Sequence, residues 1–175
     1  MIFHVNLNER SILFVLKQNY SLSMKVLMVC LGNICRSPLA EGILQHKIES
    51  RSLPWEVDSA GTGSWHTGQQ PDARSIATAR KHGIDITRQR ARQIKNWDLS
   101  QYDLILTMDS QNYQDVMRLA IGEQQQEKIR LIMNYAFPGQ NRSVPDPYWN
   151  DDGFEQVFEM LDQACEALIR EHGNC

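Results

Sequence analysis

Short apolar runs alternate with amphipathic stretches along most of this 175-residue chain. Runs typical of buried strands cover 25–29, 55–59, 103–108 and 129–133, and helical patterns begin at 37, 71, 110 and 154. Strands separated by helices pair in parallel through right-handed crossovers. The sequence therefore predicts an α/β fold: three layers, with a four-stranded parallel sheet of flavodoxin/Rossmann-like type and helices on both faces.

The predicted fold also indicates where a ligand would bind. Sheets of this kind bind ligands beyond the carboxyl ends of their strands, where the strand order reverses. The first strand leads into CLGNICRSP, residues 30–38, in which Ser37 is a suitable N-cap and Pro38 a suitable first residue for the next helix. That helix would carry Glu41 in its first turn. We therefore expect the functional site in this loop.

Composition excludes several classes of function. A net charge of −3 provides no basic field for nucleic acid, so no nucleic-acid partner is expected. The longest early apolar run, 12–16, is far shorter than the roughly 18 residues of a membrane span, and the residues around it do not resemble a secretory signal. We therefore expect no membrane association, a cytoplasmic location, one domain over 24–175, and an N-terminal extension of unknown role over 1–23.

Four cysteines could form disulfides or hold a metal, but their spacing favours neither. Cys30 and Cys35 form one close pair, whereas Cys165 falls on the apolar face of a helix and Cys175 ends the chain. A structural zinc site usually needs a second pair of ligands, and the sequence shows none at suitable spacing. We predict reduced thiols, no metal and no cofactor.

The 30–36 segment instead has the chemistry of an anion-binding loop with a nucleophile beneath it. Between the predicted strand and helix lie Leu31, Gly32, Asn33, Ile34 and Cys35. Backbone N–H groups of such a loop converge at a helix N-terminus, where Arg36 would add a guanidinium fork that matches phosphate. Those positive groups favour the thiolate of Cys30 at the base of the loop.

Two further residues would complete a phosphoryl-transfer site. The hydroxyl of Ser37 could cap the helix, or it could donate to the sulfur of Cys30 and ease its departure. The leaving oxygen needs a proton, and Asp146, between Pro145 and Pro147, is a carboxylic acid on a stiffened segment. A simple Asp-Pro turn is the alternative for Asp146.

At these residues the sequence resembles the low-molecular-weight protein tyrosine phosphatase family. The matching segments are VCLGNICRSPLAE (29–41), DSAGTGSW (58–65), KHGI (81–84), LTMD (106–109) and DPYW (146–149). They occur in the family's order and at similar spacings, and the resemblance covers about residues 24–172. It implies the flavodoxin-like fold and hydrolysis of phosphotyrosine without a cofactor.

The resemblance also implies roles for individual residues. Cys30 would attack phosphorus, Arg36 would bind the phosphate oxygens, and Asp146 would protonate the phenolate and then activate water. Ser37 would stabilise the thiolate. Supporting residues follow from the same resemblance: Asn33, Ser59 and His82 as a buried polar network, and Asp109 as the residue that orients Arg36. His82 could instead be a helix-end histidine bonded to backbone carbonyls.

Four side chains would form the walls of a slot for the substrate ring: Leu31, Trp65, Tyr148 and Trp149. Packing within its loop is the alternative for Trp65. The expected partner is a phosphotyrosyl protein, with a bacterial tyrosine kinase as one candidate, and the sequence predicts no oligomeric state. Cys35 could also capture an oxidised Cys30 as a reversible disulfide.

Three alternatives use the same fold. Arsenate reductases that pass a disulfide to thioredoxin need two further cysteines after the third strand, where residues 107–112 have none. Protein arginine phosphatases carry threonine at the position of Ile34, and isoleucine would crowd a guanidinium there. A noncatalytic phosphopeptide-binding module is the third, although Cys30, Arg36 and Asp146 are all present.

Overall fold

The structure is a computed structural model that describes residues 23–149 and 152–173. Its strands are β1 (Met24–Cys30), β2 (Trp55–Gly61), β3 (Leu104–Thr107) and β4 (Ile129–Leu131). They form one sheet in the order β2-β1-β3-β4, and every pair is parallel. The predicted four-stranded parallel sheet is confirmed. The predicted N-terminal extension, 1–23, lies outside the described residues except for Ser23.

Helices follow the strands in the predicted alternation. They are α1 (Arg36–Ser50), α2 (Ala73–Lys81), α3 (Asp98–Gln101), α4 (Ser110–Met117), α5 (Glu123–Gln126), α6 (Met133–Ala136) and α7 (Gly153–His172), with a 3-10 helix over Pro147–Trp149. Over the described ranges 23–149 and 152–173, no helix has the length and apolarity to cross a bilayer.

Side chains of β1 alternate between the two faces of the sheet, as they must in a strand. Val26 and Met28 join the core cluster that contains the buried residues of α1 and α7. Leu27 and Val29 join a second cluster with Val116 of α4. Helices therefore cover both faces, as the three-layer prediction requires, and Cys30 belongs to the cluster with α1 and α7.

Two predicted boundaries differ from the structure, and so does the predicted place of Glu41. Helix α1 begins at Arg36 rather than Ser37, its N-cap position is Cys35, and no side chain caps it. Glu41 therefore lies in the second turn and not in the first. Strand β4 ends at Leu131, because the chain turns after Ile132 donates its N–H to Thr107 of the neighbouring strand and then enters α6.

The strand order makes the carboxyl end of β1 the centre of a crevice. The chain leaves β1 through α1 to reach β2 on one side, and the later crossover places β3 on the other side. Diverging connections leave a gap above the strand between them. The loop after β1 lies in that gap, which is where the sequence predicted the site.

Candidate active site

The loop formed by residues 31–35, which we call the site loop, presents backbone donors between β1 and α1. No acceptor in the described parts of the chain bonds the N–H groups of Gly32, Ile34 or Cys35. The N–H of Asn33 donates to Sγ of Cys30 over 3.3 Å. Unpaired N–H groups beside a helix N-terminus attract an anion. The loop therefore has the donors that a phosphate group requires.

The end of β2 packs directly against this loop. A Cβ on Gly61 would lie 2.8 Å from the carbonyl oxygen of Leu31 and 3.1 Å from the nitrogen of Asn33. Both atoms are backbone and cannot move aside as the end of a flexible side chain could. Glycine at position 61 is thus required for the close approach of β2 to the site loop.

Asn33 holds the site loop in its shape. Its φ is 57°, in the left-handed region that asparagine tolerates better than most residues. Its Nδ2 donates to Ser37 over 2.9 Å and to Ser59 over 2.8 Å, and its Oδ1 accepts from the backbone N–H of Arg92 over 2.9 Å. The amide thereby connects the site loop to α1, to β2 and to the 92–94 segment.

The sulfur of Cys30 is buried at the base of the loop and lies 3.0 Å from Oγ of Ser37. Since Ser37 already accepts a hydrogen from Asn33, its own hydrogen is available for Sγ or for the carbonyl of Ala60 at 3.5 Å. The Asn33 N–H donates to the sulfur, and the Ser37 hydroxyl is placed to do so as well. Such donors stabilise a thiolate.

Arg36 is 97% buried, and its partners fix one edge of the guanidinium. Nη1 donates to Asp109 over 2.6 Å and to the carbonyl of Val144 over 3.0 Å. Asp109 is itself fixed, because it caps α4 by accepting from the N–H of Asn112. Nη2 makes only a long contact of 3.4 Å to Asp146, and Nε has no partner in the described residues. Two guanidinium nitrogens are thus available for an anion.

Asp146 lies at the opposite side of the cleft, immediately before the 3-10 helix. Its Oδ1 accepts from the backbone N–H of Tyr148 over 3.1 Å, and its side chain is 37% exposed. The structure therefore brings Asp146 to the same cleft as Cys30 and Arg36, across more than a hundred residues of sequence. A partly exposed carboxyl group, whose second oxygen makes only the 3.4 Å contact with Arg36 among the described residues, can exchange a proton with a bound group.

The cleft above the site loop has a volume of about 370 Å³. Its lining joins the loop to aromatic side chains: Cys30, Leu31, Gly32, Ile34, Cys35, Arg36, Trp65, His66, Asp146, Tyr148 and Trp149. Trp65 and Trp149 are 61% and 87% exposed, so they form the rim rather than the floor. The predicted wall residues thus line the cleft, and the ring of Trp65 also packs against Gly63 of its own loop, where a Cβ would clash with the ring.

His82 does not belong to the network around Asn33. Its ring stacks on Phe158 of α7 with 3.8 Å between ring centroids, and Nε2 bonds the carboxylate of Glu155. The prediction that grouped His82 with Asn33 and Ser59 is therefore wrong. The alternative, a ring bonded to backbone carbonyls, is also wrong, because the end of α2 packs against α7 and a side chain there is the partner.

Glu41 occupies the network position that was assigned to His82. Its Oε2 accepts from Oγ of Ser59 over 2.5 Å, which extends a chain of hydrogen bonds from Cys30 through Ser37, Asn33 and Ser59. Burial, with a further contribution from Asp58, raises the pKa of Glu41 to about 7, although the Ser59 bond opposes this. Position 41 is one helical turn beyond Ser37, and that spacing was the available signal.

Sequence reasoning also missed three other contacts of the site. The backbone N–H of Arg92 and the carbonyl of Val144 bond Asn33 and Arg36. Main-chain N–H and carbonyl groups are common to almost all residues, so residue types could not have indicated either contact. His66 lines the cleft and bonds Gln69 over 2.8 Å; its place after Trp65 in the glycine-rich 60–68 loop was a weak signal.

The other described cysteines differ from Cys30 in their surroundings. Burial, with nearby carboxylates, raises the pKa of Cys35 and of Cys165 to about 12. Both are therefore thiols at neutral pH. Within the described ranges, no group of three or more histidine, cysteine or acidic side chains could hold a metal ion.

Comparison with known proteins agrees with this geometry. Residues 25–173 match the family model described as low molecular weight phosphotyrosine protein phosphatase. Low molecular weight phosphotyrosine protein phosphatase 1 of Drosophila melanogaster is 39% identical over 150 residues, which cover 84% of this chain and 96% of that protein.

Two solved structures show the same similarity in three dimensions. A protein tyrosine phosphatase from Entamoeba histolytica, with Hepes in the active site, superimposes with a TM-score of 0.79 at 36% identity, covering 87% of this chain and 99% of that one. The Drosophila arginine phosphatase superimposes with a TM-score of 0.79 at 35% identity, covering 85% and 97%. The fold thus occurs with both phosphatase descriptions.

Glu41 generates a prediction on stability. An acid whose pKa is raised on folding binds its proton more tightly in the native state, so its contribution to stability falls as pH rises from its ordinary value toward about 7. Glu41→Gln keeps an acceptor for Ser59 and removes this titration. We expect the variant to gain about 2 kcal/mol over the wild type between pH 5 and pH 8, measured by urea unfolding.

Glu49→Gln is the matched control, because Glu49 lies exposed on the same helix. Its stability difference from the wild type should stay constant over that pH range. A difference for Glu41→Gln that is equally independent of pH would contradict the assignment of a raised pKa to Glu41.

Proposed function

This chain belongs to the low molecular weight phosphotyrosine protein phosphatase family, and we propose that it hydrolyses protein phosphotyrosine and small aryl phosphates through a cysteinyl-phosphate. It is a protein-tyrosine-phosphatase, and hence a phosphoric monoester hydrolase acting on phosphoproteins. The observation that carries the mechanism is the position of Cys30, buried beneath unpaired N–H groups of the site loop and hydrogen-bonded to Ser37.

In the first step, the thiolate of Cys30 attacks phosphorus. The S–P bond forms as the bond from phosphorus to the phenolic oxygen breaks. The site-loop N–H groups and the free nitrogens of Arg36 bind the phosphoryl oxygens, where negative charge is spread in the transition state. Asp146 donates its proton to the departing oxygen, so a neutral phenol leaves.

In the second step, Asp146 is a carboxylate and can accept a proton. Water attacks the phosphorus of the cysteinyl-phosphate, gives that proton to Asp146, and the S–P bond breaks to release inorganic phosphate. Oγ of Ser37, 3.0 Å from Sγ, donates to the sulfur as its charge returns. The network of Asn33, Ser59 and Glu41 keeps Ser37 in that position.

Substrate binding is assigned to the rim of the cleft. Leu31, Trp65, Tyr148 and Trp149 present apolar surface at its mouth, with Tyr148 and Trp149 in edge-to-face contact at 5.0 Å between centroids. Flat apolar walls suit an aryl ring. A phosphotyrosyl protein fits this arrangement, and a bacterial tyrosine kinase is one candidate. A cytoplasmic location also belongs to the proposal, since a catalytic thiol needs a reducing compartment.

Phosphoarginine is the second candidate substrate, because a structurally similar protein is described as an arginine phosphatase. The residue that weighs against it is Ile34, which lines the cleft and is 8% exposed. Its branched apolar side chain offers no hydrogen bond to a guanidinium. Phosphotyrosine therefore suits this cleft better.

Substitution of the nucleophile tests the proposal directly. We expect the wild type to hydrolyse p-nitrophenyl phosphate equally well with and without EDTA, and Cys30→Ser to lose at least about 10³-fold in kcat, since no other group can form the intermediate. Cys165→Ala removes a buried thiol outside the cleft and should retain activity. Turnover by Cys30→Ser near the wild-type rate would refute the mechanism, and a wild type without turnover would favour a binding module.

The role of Asp146 predicts a dependence on the leaving group. In Asp146→Asn, phosphoenzyme formation should slow about 10²-fold with phenyl phosphate and less with p-nitrophenyl phosphate, whose phenolate leaves without a proton. Inhibition by inorganic phosphate should change little, because the site loop is unaltered. Rapid-quench kinetics measures the first step, and Asp85→Asn is an exposed control. Equal slowing with both esters would mean that the acid has been misassigned.

The side chain of Ile34 leads to a prediction about which of the two phosphoamino acids the enzyme hydrolyses faster. The wild type should favour a phosphotyrosyl over a phosphoarginyl peptide by about tenfold or more in kcat/KM, and Ile34→Thr should shift that ratio toward phosphoarginine. Phosphate release from matched peptides provides the measurement. Ile121→Thr, at a residue that is 77% exposed, is the control. Faster wild-type hydrolysis of phosphoarginine would reverse the assignment.

A further inference from the structure

Arg74 connects the two halves of the cleft and has no role in the mechanism described above. It is the second residue of α2, directly after the N-cap Asp72 and Ala73. Its Nε and Nη2 donate to the two carboxylate oxygens of Asp72, each over 2.9 Å. A paired fork of this kind fixes the plane of a guanidinium. These same bonds are the main cause of the lowered pKa of Asp72.

The other edge of the guanidinium contacts the segment that carries Asp146. Nη1 donates to the carbonyl of Tyr148 over 3.3 Å. The guanidinium carbon lies 5.6 Å from the centroid of the Tyr148 ring and 4.7 Å from that of Phe154. Contacts to a carbonyl and to two ring faces restrain a segment in position and orientation.

Tyr148 in turn restrains the carboxyl group of Asp146. Its backbone N–H donates to Oδ1 of Asp146, while the other carboxylate oxygen has, among residues 23–149 and 152–173, only the 3.4 Å contact with Arg36. Only the three-residue 3-10 helix, Pro147–Trp149, gives this segment regular structure. The orientation of the carboxyl group therefore depends on how well Tyr148 is held.

At its base the same connection reaches the site loop. The backbone N–H of Asp72 donates to the carbonyl of Ile34 over 2.8 Å, and Phe154 packs in one cluster with Ile34 and Cys35. A continuous path runs from the site loop through Asp72 and Arg74 to Tyr148 and Asp146. This path connects the phosphate-binding groups to the acid.

We propose that Arg74 is a positioning residue for proton transfer: through Asp72 and Tyr148 it holds the carboxyl group of Asp146 in register with the phosphate bound by the site loop. The inference rests on the proposed function and adds a group that touches no reacting atom. It assigns to α2 a part in the chemistry, whereas no residue of that helix has a role in the mechanism above.

Arg74→Met tests this, because methionine fills similar space without donors or charge. Phenyl phosphate needs the acid, and with it we expect the rate constant of phosphoenzyme formation to fall about 10- to 30-fold. With p-nitrophenyl phosphate we expect the same rate constant to fall at most about threefold. A series of aryl phosphates should therefore show a steeper dependence on the pKa of the leaving phenol. Arg80→Met, exposed on the same helix, should keep the wild-type dependence.

A double-mutant cycle adds an independent readout. In the Asp146→Asn background, Arg74→Met should cost almost nothing more, because the group that it positions is no longer an acid. Arg74→Lys, which keeps the charge but cannot hold Asp72 and Tyr148 together, should fall between the wild type and Arg74→Met. It also supplies the same comparison if Arg74→Met does not fold, as judged by circular dichroism and thermal unfolding.

Equal loss with all leaving groups, or full additivity with Asp146→Asn, would overturn the inference, because both would indicate a general structural effect. Failure of the proposed function gives a different pattern: a wild type without aryl phosphatase activity, or a Cys30→Ser variant that retains it. A wild type that forms the phosphoenzyme, with an Arg74→Met variant of unchanged leaving-group dependence, would refute the role of Arg74 alone.

Discussion

The side-chain amide of Asn33 makes three hydrogen bonds to three separate segments, and the geometry of the cleft depends on them. They hold the left-handed backbone of Asn33, which has the one positive φ in the site loop. In this conformation the N–H of Asn33 donates to the sulfur of Cys30, and no described acceptor takes the N–H groups of Ile34 and Cys35. An aspartate of the same size would lose both Nδ2 donors, and an alanine would lose all three bonds.

The site keeps opposite charges close without letting them cancel. Arg36 is buried, and one of its nitrogens is neutralised by Asp109 and the Val144 carbonyl. Burying an arginine with no partner would be costly, whereas saturating all of its donors would leave none for a substrate. One edge of the Arg36 guanidinium is hydrogen-bonded within the protein, and the other edge is available to a substrate. Asp146, held by Tyr148, stands near enough to Arg36 to serve the same bound group.

Much of the fold was predictable, because apolar strands and amphipathic helices repeat clearly and parallel pairing follows from their alternation. The site loop was predictable for the same reason: Cys30 and Arg36 are close in sequence and lie at a strand-to-helix turn. The error at His82 has the opposite origin. A residue at the end of a helix can face either neighbour, and α2 packs its end on α7 rather than on the site loop.

Contacts across long separations were the hardest to foresee. The link from Arg74 to Tyr148 spans 74 positions, and that from Arg36 to Val144 spans 108 and uses a carbonyl group. Glu41 was read as a residue that favours the helix dipole, whereas packing against β2 turned it toward Ser59. Such contacts depend on how two packed elements are aligned with each other. The side-chain periodicity of one element gives no information on that alignment.

The raised pKa of Cys35 has a consequence for chemical labelling. With a pKa of about 12, only about one thiol in 10⁵ is ionised at pH 7, and the same holds for Cys165. Electrophiles react with thiolates. Among the cysteines that the structure describes, Cys35 and Cys165 should therefore resist an alkylating reagent at that pH, although Cys35 lines the cleft that the reagent would enter. Cys35 is thus protected by its protonation state, although it lies in the same cleft as Cys30.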